Sequence, residues 1–330
     1  MHLLRRAATA PLLLTLLACS NGADTRSPDP EPSTSPSPPS GSPSTSETPS
    51  ESGSDPDPPA VRPDDLDGTT AVRAVEHLAG RIGPREATSP AFRESADWVA
   101  GRLTELGYDV SRQRVDVPAG MSWEGAPVAA GRSANVVATP PGLDTRAPHL
   151  VVGAHLDTVA GAPGAEDNAS GIGVLLAVAE AVSERRTRLP VVLVAFGAEE
   201  PRGRGDDDHH FGSRGYVDRL GARERRAVSG MVSLDRVGVG EVVPVGSTGS
   251  TDPVQRSLLS AARRAGVPVV AEEDERSSDH WSFVRSGLPG ARLGSTPYTG
   301  YHSAADVPAV VSPAQLERVG RLVLAWAAPR

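Results

Sequence analysis

The chain has 330 residues, of which 38% are hydrophobic and 22% are charged, with a net charge of −8 and one cysteine. A single cysteine excludes an internal disulfide, so the fold must rest on the burial of apolar side chains. The acidic excess is local, because residues 20–67 contain ten acidic side chains and two arginines. The rest of the chain is close to neutral and has no basic patch, which argues against a nucleic-acid-binding protein.

Residues 1–18 are typical of a lipoprotein signal peptide. Arg5 and Arg6 form a charged start, and the apolar stretch that ends at Ala18 is too short to span a bilayer. Cys19 follows directly and resembles the lipidated cysteine of bacterial lipoproteins; the alternative is an ordinary cleavable signal with an incidental cysteine. We therefore expect an exported protein, either a cell-membrane lipoprotein anchored through Cys19 and facing outside, or a secreted protein.

Residues 19–67 are rich in proline, serine and acidic residues and contain almost no large apolar side chains. Such a composition cannot bury enough surface to offset the entropy of the chain, so it predicts a disordered tether. Residues 68–330 remain for the folded part, which is large but acceptable for one α/β domain.

Apolar periodicity predicts alternating helices and strands along the folded part. Two continuous apolar strands separated by an alanine-rich helix indicate parallel strands buried on both faces. The predicted fold is therefore α/β, a single domain with a central, mostly parallel mixed sheet flanked by helices. In chain order, the predicted elements are helices at 71–82 and 90–106, strands at 108–117, 134–138 and 149–155, a helix at 170–183, strands at 189–196 and 230–234, a helix at 253–265, strands at 267–271 and 291–293, and a helix at 312–327.

Polar side chains come at the ends of three predicted strands. His155, Glu199 and Asp235 lie at the carboxyl ends, which form the edge where ligands bind in open α/β sheets. Asp157 either forms a local pair with His155 or orients its imidazole as a zinc ligand. Glu199 and Glu200 are adjacent, and two buried carboxylates need cations or a proton to compensate them. One of them can bind a metal while the other takes a proton from water.

Two further stretches carry metal-binding residue types. Asp167 lies in a glycine-rich loop before a helix, where it either caps the helix or bridges two metal ions about 3.5–4 Å apart. His302 follows Tyr301, and Asp306 is a candidate for orienting its imidazole. The ordered set of histidines and carboxylates favours a two-metal hydrolase.

With these residues in order, the chain resembles the M28 family of zinc peptidases, whose bacterial members are mostly secreted aminopeptidases. The resemblance extends from Ala71 to the C-terminus and rests on residues 151–159, 166–173, 196–200, 233–237, 278–283 and 301–306. It implies two zinc ions per chain and a cis peptide bond after Asp167. The roles that it implies are metal binding by His155, Asp167, Glu200, Asp235 and His302, with Asp167 as the bridge, proton transfer by Glu199 as general base, orientation of His155 by Asp157, and stabilisation of the oxyanion by Tyr301.

The sequence departs from the family pattern directly after the Glu-Glu pair. Residues 201–211 insert a longer charged loop, which leaves substrate access and specificity open. Its run at 206–210 has three aspartates and two histidines, but polar runs in loops rich in glycine and arginine are usually solvated. We therefore expect residues 206–210, and also the Asp279-His280 pair, at the periphery of the site.

The resemblance implies a zinc-dependent metallopeptidase, an aminopeptidase that acts as a monomer on peptide or protein N-termini. Three alternatives on the same scaffold stay open. They are an amidohydrolase that acts on a non-peptide amide, a single-zinc enzyme similar to the glutaminyl cyclases, and a catalytically inactive binding lipoprotein. Inactive relatives usually lose metal ligands, and none of the expected ligands is missing from this sequence.

Overall fold

A mixed sheet of eight strands forms the centre of the structure, a computed structural model that describes residues 57–248 and 252–329. In chain order the strands of this sheet and of a small separate hairpin are β1 (Asp109–Val117), β2 (Gly120–Met121), β3 (Pro127–Val128), β4 (Gly131–Thr139), β5 (His149–His155), β6 (Val191–Phe196), β7 (Val228–Leu234), β8 (Val243–Gly246), β9 (Val269–Glu272) and β10 (Gly290–Leu293). The order across the sheet is β1-β4-β6-β5-β7-β10-β8-β9, and β2 and β3 pair separately as the hairpin.

The sheet confirms the predicted fold class. Four of its seven strand pairs are parallel and three are antiparallel, so the sheet is mixed and mostly parallel. Every residue of β5 and β6 is buried, which explains why both strands are apolar throughout. Val152 and Leu193 pack in one apolar cluster, whereas Val151 and Val194 pack in a second cluster on the opposite face. Helices therefore cover both faces.

The larger cluster packs one face of the sheet against most of the long helices, and the smaller cluster packs the other face against two short helices. The first helix begins at Gly68 rather than at the predicted residue 71, and its continuation, Glu76–Ile82, winds as a π-helix. The helices are α1 (Gly68–Val75), α2 (Pro90–Glu105), α3 (Ser170–Ser183), α4 (Phe211–Arg219), α5 (Ala222–Ala227), α6 (Pro253–Ala265), α7 (His280–Val284) and α8 (Pro313–Ala327).

Residues 57–67 correct the predicted extent of the tether. Val61 is buried in the larger cluster, and its backbone N–H donates to the carbonyl of Arg186 over 3.0 Å. Asp67 caps α1 by accepting the N–H of Thr69. The ordered part therefore begins before Gly68, because one valine and paired backbone groups attach a segment whose composition alone predicts disorder.

The predicted signal peptide, Cys19 and most of the predicted tether lie outside the described residues. Among the residues that the structure does describe, none of the helices is both long and apolar enough to cross a membrane.

Candidate metal centre

The carboxyl ends of three adjacent parallel strands bring the predicted site residues together. His155 is the last residue of β5, and Asp235 comes directly after β7. Glu199 and Glu200 follow β6 within a short turn. All four side chains are buried. The sheet thus places these residues where the sequence predicts them, since the ends of parallel neighbours meet at one edge.

Asp167 lies between the two predicted imidazole ligands. Its Oδ1 is 3.1 Å from Nε2 of His155, and its Oδ2 is 3.1 Å from Nε2 of His302. The peptide bond between Asp167 and Asn168 is cis, as the resemblance implies. Each oxygen of one carboxylate therefore faces a different imidazole, which is the arrangement expected of a ligand that bridges two metal ions.

A second carboxylate accompanies each imidazole. Oδ1 of Asp235 lies 3.8 Å from Nε2 of His155, and Oε2 of Glu200 lies 3.3 Å from Nε2 of His302. Donor atoms of His155, Asp167 and Glu200 all lie within 4.8 Å of one another. Imidazole nitrogens and carboxylate oxygens are ligands that zinc takes, and Oε1 of the buried Glu200 has no hydrogen-bond partner among the described residues. The residues fit a zinc site.

The concentration of buried carboxylates shifts their protonation. Burial raises the pKa of Glu199 and of Glu200 to about 8. Burial also opposes ionisation of Asp167, but hydrogen bonds with His155 and His302 bring its pKa below the usual value. Divalent cations would stabilise the ionised forms of Glu199 and Glu200, which burial disfavours.

Asp235 differs from the other acids because two arginines flank it. Nη2 of Arg292 and Nε of Arg236 each lie 3.6 Å from its Oδ1. Burial disfavours the charge, yet Arg292 and the hydrogen bond with His155 hold the pKa of Asp235 well below its usual range. The negative charge that this candidate ligand would offer a metal is therefore partly compensated by protein groups. Nothing in the sequence pattern indicates Arg292, which is buried in β10.

Asp157 contacts both His155 and the Glu-Glu turn. Its Oδ1 is 3.8 Å from Nδ1 of His155, and its backbone carbonyl is closer to that nitrogen, at 3.1 Å. The carboxylate itself accepts the backbone N–H groups of Glu199 and Glu200, over 3.0 and 3.1 Å. Asp157 thus fixes the turn that carries the predicted base, while the orientation of His155 by its side chain stays a prediction.

Asp306 does not orient His302, contrary to the sequence-based expectation. Its carboxylate accepts the backbone N–H groups of Glu166 and Asp167, over 2.8 and 3.1 Å. Nδ1 of His302 has no hydrogen-bond partner among the described residues. Because both of these donors lie in the loop of Asp167, Asp306 fixes that loop rather than the ring of His302.

Aromatic and cationic side chains surround His302. Tyr301 stacks on its ring with centroids 3.8 Å apart, and the guanidinium of Arg236 lies 4.4 Å from the centre of the Tyr301 ring. Trp123, in the turn between β2 and β3, meets the ring of His302 edge-on at 5.0 Å and is 57% exposed. The sequence gives no signal for Trp123, because its partners lie far along the chain.

The inserted loop reaches the centre, so the expectation that residues 206–210 are solvated is wrong for His210. This side chain is buried, and its Nε2 lies 3.0 Å from Oε1 of Glu199. Asp206 and His209 line a cavity of about 500 Å³ that also borders Glu199 and Trp281. The Asp279-His280 pair is fully buried behind this cavity and does not line it.

The fold and the donor set together define a class of protein: an α/β protein whose mixed sheet carries buried imidazoles and carboxylates at its carboxyl edge. The family model described as Peptidase family M28 matches residues 135–327. The chain therefore belongs to peptidase family M28, as its motifs predict.

Relatives and solved structures agree with this assignment. Aminopeptidase YwaD from Bacillus subtilis (strain 168) is 30% identical over 205 residues, which cover 58% of this chain and 44% of that protein. The chain spans about half the length of the curated relatives it matches.

Two solved structures show how widely the fold is used. BSAP, a zinc aminopeptidase from Bacillus subtilis, has a TM-score of 0.70 and 19% identity, covering 79% of this chain and 94% of that one. A glutaminyl cyclase from Bacteroides thetaiotaomicron has a TM-score of 0.67 and 20% identity, covering 79% and 97%. At these identities the likeness shows the fold, which zinc aminopeptidases share with glutaminyl cyclases.

Proposed function

We propose that the chain is a two-zinc aminopeptidase that hydrolyses the N-terminal peptide bond of peptides or proteins. One observation carries the proposal: the two oxygens of Asp167 face separate imidazoles, and each imidazole has a second carboxylate beside it. His155 and Asp235 would hold one zinc ion, His302 and Glu200 the other, and Asp167 would bridge them.

Bound zinc supplies a Lewis acid that polarises the scissile carbonyl and makes water acidic enough to react near neutral pH. Glu199 takes the proton from that water and delivers it to the leaving amine. Its Oε2 is 4.0 Å from Nε2 of His155, so this oxygen faces the metal centre. Tyr301, whose ring stacks on that of His302, would donate a hydrogen bond to the developing oxyanion.

The surroundings of the centre support an exopeptidase. Glu199 and Asp235 line the same cavity, so a free α-ammonium group of the substrate can approach an acid within reach of the reacting carbonyl. The cavity of about 500 Å³ accommodates a terminal residue and part of the next one.

A single-zinc enzyme on the same scaffold is the second candidate. The two arginines that flank Asp235 favour it, because they compensate one of the five expected ligands. Zinc content discriminates the two: about two ions per chain supports the aminopeptidase proposal, and one supports a single-zinc enzyme. An inactive binding protein would bind no zinc, or would bind it without turnover of any substrate.

We also propose export and a monomeric state, with a lipid anchor at Cys19 that would keep the domain near the outer face of the cell membrane. The signal-like residues 1–18 and the cysteine that follows support export and the lipid anchor. Metabolic labelling with a fatty acid, compared between the full chain and Cys19→Ser, tests it. Equal labelling of both chains, or none of either, contradicts the anchor.

The function is tested with a panel of aminoacyl-arylamides, assayed with and without a chelator. We expect cleavage that the chelator abolishes and that added zinc restores. Glu199→Gln should retain zinc and lose turnover by at least about 100-fold, since it removes the general base. Glu241→Gln, the same change at an exposed site, serves as the matched control. Chelator-insensitive cleavage, or near-normal turnover of E199Q, contradicts the proposal.

A further inference from the structure

The inserted loop returns to the site through backbone hydrogen bonds at the turn that carries the predicted base. The N–H of His210 donates to the carbonyl of Glu199 over 2.9 Å, and the N–H of Phe211 donates to the carbonyl of Ala198 over 2.8 Å. His210 has a positive φ of 58° and directly precedes α4. The backbone therefore fixes where the His210 side chain begins, which a freely moving loop would not do.

The two carboxylate oxygens of Glu199 have different neighbours, and His210 is the neighbour of one of them. Nε2 of His210 lies 3.0 Å from Oε1, whereas Oε2 lies 4.0 Å from Nε2 of His155 on the side of the metal centre. Both His210 and Glu199 are buried at the wall of the cavity, which limits competition from water for this contact. A hydrogen bond to Oε1 restrains rotation of the Glu199 carboxylate, so Oε2 stays turned toward the metal centre.

We propose that His210 is the positioning residue of Glu199, donating a hydrogen bond from Nε2 to Oε1 so that Oε2 faces the water that reacts. The proposal rests on the proposed function of Glu199 as general base. The donor is a neutral imidazole with its proton on Nε2. His210 also borders the cavity, but in this role the imidazole acts on the reaction through the glutamate.

Asp279 supplies a second observation on the same side chain. It is fully buried, and neither of its carboxylate oxygens has a hydrogen-bond partner among the described residues; nor does Nδ1 of His210. Burial raises the pKa of Asp279 to about 7, and the charge of Glu199 acts in the same direction. Burial lowers the pKa of His210, while the charge of Asp279 opposes that shift. His210 thus contacts one buried acid, Glu199, and is acted on by the charge of a second, Asp279.

Two substitutions in the full, zinc-loaded chain test the proposal. His210→Leu removes the donor and keeps an apolar side chain, whereas His210→Gln offers an amide N–H near the position of Nε2. We expect H210L to lower kcat about 10- to 100-fold, as for a misplaced catalytic group. KM should stay within about twofold, because His210 is buried at the cavity wall and offers the substrate little surface. Zinc content should not change, and H210Q should recover most of the lost kcat.

The matched control is His77→Leu, the same change at a histidine that stacks on Trp98 outside the cavity. It should leave kcat unchanged. A normal kcat in H210L overturns the proposal, and so does an equal loss in H210L and H210Q. A loss of zinc in H210L that accounts for the whole fall in kcat also overturns it.

A spectroscopic readout makes the test independent of turnover. In isotope-labelled protein, nuclear magnetic resonance should show a proton on Nε2 of His210 that exchanges slowly with water, since it is buried and bonded. Glu199→Ala removes the acceptor and should shift that signal. An unprotonated Nε2 in the wild type, or an unchanged signal in E199A, overturns the positioning role. If the wild type cleaves no aminoacyl substrate, the proposed function fails while the hydrogen bond remains measurable, so the two failures are distinguishable.

Discussion

The buried Arg85 is the strongest test of how the site loops are supported. It is fully buried and donates to four backbone carbonyls. The short bonds run from Nε to Leu156 over 2.7 Å, from Nη1 to Pro163 over 2.6 Å and from Nη2 to Gly164 over 2.9 Å, and a longer one runs from Nη1 to Gly83 over 3.4 Å. Leu156 follows β5, and Pro163 and Gly164 lie in the loop before Asp167. One guanidinium therefore connects the segments that carry two of the predicted metal ligands.

We predict that Arg85→Met destabilises the protein by about 3–5 kcal/mol, since hydrogen bonds from a charged donor are worth about 1.5–3 kcal/mol each. The buried carbonyl of Leu156 and the partly buried one of Pro163 would lose their donor, whereas that of Gly164 keeps the N–H of Ala169. Removal of the buried charge offsets part of that cost, since burial already lowers the pKa of Arg85 to about 10. Arg85→Lys keeps the charge with fewer donors in fixed directions, so its loss should be smaller.

Urea unfolding of the metal-free protein, followed by tryptophan fluorescence, measures this loss without the contribution of bound zinc. Arg81→Met is the matched control, because Arg81 is exposed on the preceding turn and should change stability by less than about 0.5 kcal/mol. Zinc affinity should also fall in R85M, since the loop of Asp167 loses support. A destabilisation of R85M below about 1 kcal/mol would refute this reasoning, because the carbonyls of Leu156 and Pro163 cannot both lose their donor at so small a cost.

Two further predictions concern side chains around the centre. Trp123→Ala should raise KM a few-fold at nearly constant kcat and stability, because this exposed ring borders the cavity beside Tyr301 and His302. Steady-state kinetics measure KM and kcat, and a fall in kcat alone would contradict this prediction. Arg292→Met should tighten zinc binding about tenfold by removing a positive charge beside Asp235. Competition with a zinc-sensitive dye measures the affinity, and unchanged or weaker binding would show that the arginine does not oppose the metal.

Strong local patterns allowed the sequence to predict part of the fold residue by residue. The bounds of β5, α3 and α6 agree with the predicted ones, because apolar runs and a capping aspartate before Pro253 specify them locally. The strand β8 is missing from the prediction, since it has four residues and contains Pro244, which argues against a strand. Short elements of this kind depend on their neighbours in the sheet rather than on their own sequence.

The site residues also differ in whether the local sequence or contacts with distant residues determine their positions. His155, Glu199 and Asp235 follow apolar strands, so their common edge could be predicted. The contact between His210 and Glu199 could not, because a polar run in a charged loop is usually solvated. The run is fixed near the site by α4, which begins directly after it, and that helix is not among the elements predicted from apolar periodicity. Arg85 gives no such signal, since its partner Leu156 lies 71 positions away.

The carboxylates around the centre fall into two groups that the sequence cannot separate, because both consist of acids in loops near strand ends. Those in the inner group face imidazoles, and one of them also faces arginines. Each carboxylate in the outer group instead accepts two consecutive backbone N–H groups of a loop that carries an inner one. Since each outer carboxylate lies in a different loop from the N–H groups that it accepts, the loops fix one another. Loss of an outer carboxylate should therefore disturb a predicted metal ligand through the backbone of its loop. The outer pairs are Asp157 with the N–H groups of Glu199 and Glu200, Asp306 with those of Glu166 and Asp167, and Glu166 with those of Gly238 and Val239, in the loop after Asp235.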